Sequence, residues 1–322
     1  MQVGVGLPTT IPGTRGDVVL DWARRADAGP FSSVAVLDRL LYDSYDPLIS
    51  LAAAAGATTR VRLATLIVIG PLRNPALLAK SAASLDALSG GRLTLGLSVG
   101  ARHDDYEAAG VDYRTRGKRL VEQLATFRDH WEDERIGPAP ARPGGPELLV
   151  GGLTDAAYAR VARYADGYVH NGGPPRAFAR AAERVRAAWL DAGRPGKPRL
   201  WGQSYFALGG EAAAEAGTAY LRDYYAFTGH FVERIVAELL TTPQGIAQLI
   251  RGYAEAGCDE LALFPATSDP SELERLADVI TSLAGTVTLP APVTAAPSAQ
   301  PFVGAPIGHP HAGRPGRGKD SR

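Results

Sequence analysis

The chain has 322 residues, with 34 basic and 34 acidic side chains cancelling to a formal net charge of +0, and 45% of it is hydrophobic. This length fits two ordinary domains or one large α/β barrel and excludes a small stapled fold, and the balanced charge gives no reason to expect nucleic acid as a partner. Cys258 is the only cysteine, which excludes an intrachain disulfide and points to a reducing cytoplasm. The first residues lack a signal peptide's features and no apolar run is long enough for a membrane helix, so no membrane partner is expected.

Residues 1–285 alternate short apolar runs with longer amphipathic ones, the pattern of repeated βα units around a parallel sheet. Eight strands are expected, at 3–7, 33–37, 61–69, 93–99, 147–150, 167–170, 199–207 and 260–264. Most are β-branched or leucine runs with little polar alternation, as when both faces are buried. Asp46-Pro47, Asn74-Pro75, Thr242-Pro243 and Asp269-Pro270 each set a capping side chain before a proline at a first helical position. Gly29, Gly56, Gly90-Gly91, Gly193 and Gly257 follow helical stretches, where a left-handed residue is wanted.

Two segments break the rhythm: a Pro- and Gly-rich loop at 132–146 and an insertion at 209–240 after strand seven. From residue 286 to 322 the chain turns Pro-, Ala- and Gly-rich, which reads as a disordered tail. His309-Pro310-His311 within it lacks the further ligands that a metal site requires. Eight units with right-handed crossovers close as a (β/α)8 TIM barrel over 1–285.

In such a barrel the active site lies at the C-terminal ends of the strands. Gly151-Gly152, with Thr154 at a helix start, can cradle a phosphate or form an ordinary capped turn; a second pair, Gly172-Gly173, on the next strand end favours the cradle. Asp38 after strand two is a candidate for holding a cofactor or relaying a proton, its plainer role being an ion pair with Arg39. After strand four, Arg102 offers a cation and His103 an imidazole suited to acid–base work, while Asp104 and Asp105 read best as caps of the next helix. His170, at the end of strand six, is expected to point toward the mouth, although a satisfied structural histidine fits that position equally. Catalytic candidates are therefore Asp38, His103 and His170. Tyr205, Phe206, Tyr224, Tyr225 and Phe264 are candidates for an aromatic substrate wall, with Phe227 and Phe231 reading as core of the inserted helix. The first strand carries no His-x-His, so metal catalysis ranks low, and there is no Gly-x-Ser-x-Gly elbow, Walker loop or complete dinucleotide fingerprint.

Three stretches carry a family resemblance: Arg60-Val61-Arg62-Leu63-Ala64-Thr65, Pro71-Leu72-Arg73-Asn74-Pro75, and Ser84-Leu85-Asp86-Ala87-Leu88-Ser89-Gly90-Gly91-Arg92-Leu93 running on to Gly100. With Ala165-Asp166-Gly167-Tyr168 and Ala256-Gly257-Cys258-Asp259-Glu260, the chain resembles the bacterial luciferase-like monooxygenases over residues 3–284. The resemblance implies a mouth that binds reduced FMN or the deazaflavin coenzyme F-420, with the phosphate near the turns after strands five and six. It implies that Asp38, Ser98, Gly100, Gly151, Gly152 and Thr154 line the cofactor and that the end of strand three, at Ile67 to Gly70, backs its ring, where members of the family often have a non-prolyl cis peptide. Arg102, Gly172 and Gly173 join the candidate cofactor residues on the grounds given above.

FMN would imply dioxygen chemistry at ring carbon C4a, and the deazaflavin hydride exchange at C5. Arg39 after Asp38 departs from the Asp-His of the family's sugar-phosphate dehydrogenases, which argues against that subgroup. The expected partners are a small organic substrate, a second copy of the chain in a homodimer and, with FMN, a separate flavin reductase. The alternative is a non-catalytic barrel acting as a ligand-binding or partner subunit, with its mouth narrowed by Leu66-Ile67-Val68-Ile69.

Overall fold

The computed structural model describes residues 1–285 and Thr288, so the tail expected at 286–322 lies, but for Thr288, outside the described residues. Eight parallel strands close a barrel in sequence order: β1 (Gln2–Gly6), β2 (Ser33–Val36), β3 (Arg62–Ile69), β4 (Leu93–Ser98), β5 (Glu147–Gly151), β6 (Gly167–His170), β7 (Arg199–Phe206) and β8 (Glu260–Pro265). Each lies within a residue of its expected bounds. The helices are α1 (Gly16–Ala28), α2 (Pro47–Ala57), α3 (Pro75–Ser89), α4 (His103–Ala108), α5 (Arg116–Glu132), α6 (Asp155–Tyr164), α7 (Pro175–Asp191), α8 (Glu211–Tyr224), α9 (Val232–Val236), α10 (Pro243–Glu255) and α11 (Ser271–Ser282). The expected insertion after β7 supplies α8, a 3-10 stretch at Ala226–Phe231, and α9.

Three of the four proline-marked starts form as expected, with Asp46, Asn74 and Thr242 each accepting backbone N–H bonds from the first turn. The fourth is shifted: Pro270 is itself the cap of α11, and Asp269 accepts the N–H of Ser271. Gly90, Gly91, Gly193 and Gly257 adopt positive φ, whereas Gly29 is extended and Gly56 lies inside α2, so these two do not end their helices in the left-handed way expected.

Strand alternation divides the apolar side chains into two sets. Val3, Val5, Val34, Val36, Leu63 and Leu95 face outward into the layer beneath the helices, while Ala35, Ala64, Leu66, Leu149, Val169, Trp201, Ala262 and Phe264 fill the barrel interior. Each fully buried branched side chain contributes about 1.5–3 kcal/mol by leaving water. Cys258 packs in the outer layer, where burial pushes its thiol pKa far up and leaves it a small core residue.

The N-terminal end of the barrel is closed by charge. Glu147 accepts from Arg62 at 2.8 Å and from Thr94 at 2.9 Å, and Arg199 lies 3.6 Å from Glu147 and 3.9 Å from Glu260. Ser32 donates to Glu260 at 2.8 Å. With that end plugged, a ligand can enter only from the C-terminal mouth. Among the described residues no helix is long and apolar enough to cross a membrane.

Candidate active site

The mouth is organised around the end of β3. A non-prolyl cis peptide joins Leu66 to Ile67, and the register with β4 shifts between Thr65 and Val68. The bulge carries the half-buried Ile67 side chain over Gly96 of β4 and Gly151 of β5. A Cβ built on Gly96 would lie 3.3 Å from Ile67 Cγ2 and would overlap the Thr65 carbonyl; one built on Gly151 would lie 3.6 Å from the same methyl. Glycine at β4 and β5 thus makes room for the Thr65 carbonyl and lets Ile67 seat closely, at the place where the resemblance puts the cofactor ring.

Asp38 fixes that bulge in place. Its carboxylate accepts the N–H of Ile69 at 2.9 Å and a bond from Arg73 at 3.1 Å, and Arg73 also reaches Asp46, the cap of α2, at 2.9 Å. Burial pushes the Asp38 carboxyl up from its ordinary range, against the pull of Arg73. Its partner is therefore Arg73 and not the adjacent Arg39. With both oxygens engaged, Asp38 stands as a positioning group behind the mouth.

The side chain of Arg39 turns into the protein and is only 4% exposed. It lies 3.6 Å from the fully buried Asp105 and donates to the carbonyls of Tyr224 and Leu41, with the rings of Tyr42 and Tyr224 at 4.7 and 5.1 Å from its guanidinium carbon. Asp105 also accepts the Leu41 N–H at 2.8 Å and faces Arg102 at 3.7 Å. Asp105 is thus a buried clamp joining the β2 and β4 loops, in place of the helix cap expected for it. Arg102 pairs with Asp104 as well and lies over the ring of Phe227.

The remaining candidates fall in three places. Ser98 and Gly100 lie half-buried at the β4 end, and Gly100 holds φ +67°, with a built Cβ 2.8 Å from Ile69 Cγ2. Gly151 and Gly152 lead into α6, whose cap Thr154 accepts the Ala157 N–H at 3.3 Å; Gly152 has φ +140° and Leu153 and Thr154 are exposed. This open helix start has the backbone donors and dipole that suit a phosphate. Gly172 and Gly173 also hold φ +104°, but the Gly173 carbonyl accepts from Tyr253 and a Cβ there would lie 3.9 Å from the Glu238 carboxylate. A carboxylate that close repels an anion, whereas the one carboxylate in the first turn of α6, Asp155, is paired with Arg184, so the α6 start suits a phosphate better than the second glycine pair.

The structure does not bring the two histidines to the floor of the mouth. His103 is exposed on the rim, stacked on Tyr113 at 3.6 Å between ring centroids. His170 is buried on the outer face of β6, contrary to the inward orientation expected, because Val169 takes the interior position. Its Nδ1 lies 3.1 Å from the Tyr168 hydroxyl, which donates to the Gly152 carbonyl at 3.0 Å, and its ring meets Phe178 edge-on. Among the described residues Nε2 has no partner, and burial pushes the imidazole pKa down to about 4, so it is neutral at physiological pH. Through Tyr168 it steadies the glycine turn at β5.

Of the aromatic wall, Tyr205, Tyr224, Tyr225 and Phe264 do come together, joined by Tyr220. Two hydroxyl pairs form within or beside it: Tyr205 bonds Tyr225 at 2.9 Å and Tyr220 bonds Thr10 at 2.7 Å. Phe206 belongs to the outer layer instead, and Phe227 and Phe231 are exposed and not core. Gln203, missed from sequence, occupies the inward position of β7 between Trp201 and Tyr205; a polar residue at period two between inward aromatics was the signal.

The model of the luciferase-like monooxygenases matches residues 1–256. The chain belongs to that family. An uncharacterized protein of Mycobacterium tuberculosis is 36% identical over 208 residues, covering 53% of this chain and 71% of that protein. An F-420-dependent secondary alcohol dehydrogenase, solved with an F-420–acetone adduct, superposes with a TM-score of 0.73 at 19% identity, covering 88% of this chain and 98% of that one. The oxygenating constituent of 3,6-diketocamphane monooxygenase from Pseudomonas putida, a type II Baeyer–Villiger enzyme solved with FMN, superposes at 0.71 and 19% identity, covering 90% and 99%. At these identities the two structures establish a shared fold.

Proposed function

We propose that the chain is an oxidoreductase that binds reduced FMN or the deazaflavin coenzyme F-420 at its C-terminal mouth and acts on a small organic substrate. The observation that carries this reading is the Ile67 bulge lying over Gly96 and Gly151 beside the open start of α6. A flat ring needs a firmly seated apolar backing and its phosphate the backbone donors of a helix start; Ile67 packed on Gly96 and Gly151, and the exposed start of α6, support that assignment. The similar dehydrogenase and monooxygenase support the two cofactors in turn.

When bound, either cofactor would supply the redox chemistry, hydride transfer for the deazaflavin and dioxygen chemistry for FMN. Within the chain, Ile67, seated on Gly96 and Gly151, would back the ring, Gly152 and the α6 amides would hold the phosphate, and Asp38 would keep the bulge in register. The aromatic cluster would exclude water from the reacting face. Neither Asp38 nor His170 is free to move a proton there.

With FMN, a separate reductase would supply the reduced cofactor. A homodimer fits the exposed Ile49 on α2 and Leu77 and Leu88 on α3, apolar side chains on two helices packed side by side. Sedimentation velocity would report a single monomeric species if that part is wrong. For the reaction itself, protein loaded with reduced FMN is mixed with oxygenated buffer, and protein loaded with reduced deazaflavin with a panel of ketones and aldehydes. Reoxidation faster than that of the free cofactor supports an enzyme; free-cofactor rates throughout would leave a non-catalytic barrel.

A further inference from the structure

The chain is neutral as a whole but not along its surface. Helices α6 and α7 together hold six arginines and three carboxylates. Arg184 of α7 pairs with Asp155 in the first turn of α6, which sets that arginine level with the α6 start. Arg180 and Arg176 follow it at helical spacing on the same face, about 6 and 12 Å nearer the start of α7, at the mouth end of the barrel. Both are exposed, and neither has a carboxylate partner among the described residues. Like charges at this spacing repel, and a cation in the first turn of α7, which carries no acid, opposes the helix dipole. Nothing within the fold is gained by this stripe, whereas an arriving anion would be held by it.

A further unpaired cation stands on the other side of the α6 start. Arg160 of α6 makes no hydrogen bond or ion pair among the described residues, its Nε is enclosed without a partner, and its Nη2 lies 3.0 Å from a Cβ built on Gly117, in the first turn of α5. That turn carries Arg116 and no acid, and Arg119 beside it donates to the Pro71 carbonyl beyond β3, which places this corner at the mouth. The α6 start is thus flanked by Arg160 and by the α7 stripe, more positive charge than one phosphate calls for. FMN ends in its phosphate. In coenzyme F-420 the phosphate is a diester that continues into a chain of glutamates, each adding a carboxylate. We propose that Arg176 and Arg180 form a track for the oligoglutamate chain of F-420, with Arg160 at its phosphate end, which makes the deazaflavin the cofactor of this chain. This rests on the flavin-type reading, with the phosphate at the α6 start. Nucleic acid fits less well, because the track is short and the chain carries a formal net charge of +0.

The probes are reduced F-420 with a long oligoglutamate chain, the same deazaflavin shortened to its phospholactyl group, and reduced FMN, each bound under anaerobic equilibrium dialysis. The long form is expected to bind at least tenfold more tightly than the shortened one at low salt, with the gain shrinking as salt is raised. In the double variant Arg176→Gln with Arg180→Gln the gain falls to about twofold or less, while the affinities for the shortened form and for FMN stay within about twofold of the wild type. Arg160→Gln weakens the long and shortened forms alike. Arg24→Gln, an exposed arginine on α1 across the barrel, leaves the gain in place and controls for overall charge. Thermal melting confirms that the variants are folded. Equal affinity for the long and shortened forms, a gain lost as fully in Arg24→Gln as in the double variant, or binding of FMN alone overturns the proposal and leaves the flavin-type reading standing. Saturable binding of none of the three overturns both.

Discussion

Replacing His170 by Gln should make the barrel less sensitive to acid. The imidazole has an ordinary pKa of 6.5 that burial depresses to about 4 in the folded chain. Because the unfolded chain takes up the proton first, the stability tied to the neutral ring is complete above pH 6.5 and is lost as the pH falls from 6.5 toward 4. One pH unit of proton uptake by the unfolded chain alone is about 1.4 kcal/mol, so the loss between pH 7 and pH 5 is about 2 kcal/mol. Glutamine does not titrate and keeps an N–H that can reach the Tyr168 oxygen, whose own proton goes to the Gly152 carbonyl. Urea unfolding of both proteins at pH 7 and pH 5 gives four free energies, and carboxylate titrations shared by both proteins cancel in the double difference. The wild type should lose about 2 kcal/mol more than His170→Gln over that interval. Equal losses, within about 0.5 kcal/mol, would refute the outward, solvent-excluded placement of the ring.

Asp38→Ala removes the acceptor of the Ile69 N–H and one partner of Arg73, and should cost about 2–4 kcal/mol in urea unfolding while weakening cofactor binding; Asp38→Asn should recover part of the stability through the retained backbone bond. Gly152→Ala forces a side chain into φ +140° and against Ala157, so it should cost about 1–3 kcal/mol and lower affinity for a phosphate-bearing cofactor at least tenfold, with a phosphate-free lumiflavin analogue far less affected. Asp105→Leu strands the buried Arg39 and should cost about 3–5 kcal/mol, whereas the double variant Arg39→Leu with Asp105→Leu should cost less than the single one; additive losses would contradict the clamp.

The sheet was readable because its strands are buried on both faces, which concentrates β-branched and leucine residues into runs whose ends are visible. The same property hid the site. In a half-exposed strand, polar alternation tells which residues face inward, but both faces of Gly167-Tyr168-Val169-His170 are buried, so the outward turn of His170 had no local signal. Gln203 did carry a signal, as a polar residue at period two between Trp201 and Tyr205 within Arg199–Phe206. Ion pairs were harder still: Asp38 pairs with Arg73 and Arg39 with Asp105, contacts made by loops that only the closed barrel brings together. Turn chemistry, being local, was legible at Asp46, Asn74 and Thr242, while Gly29 shows that a glycine between helix and strand can leave in extended backbone.

The flavin-type mouth is tested most directly by anaerobic titration of the purified protein with reduced FMN and, separately, with reduced coenzyme F-420, following tryptophan fluorescence and cofactor absorbance. Saturable binding of one cofactor, weakened at least tenfold in Gly152→Ala, is the predicted result. Binding of neither at high micromolar concentration would contradict it.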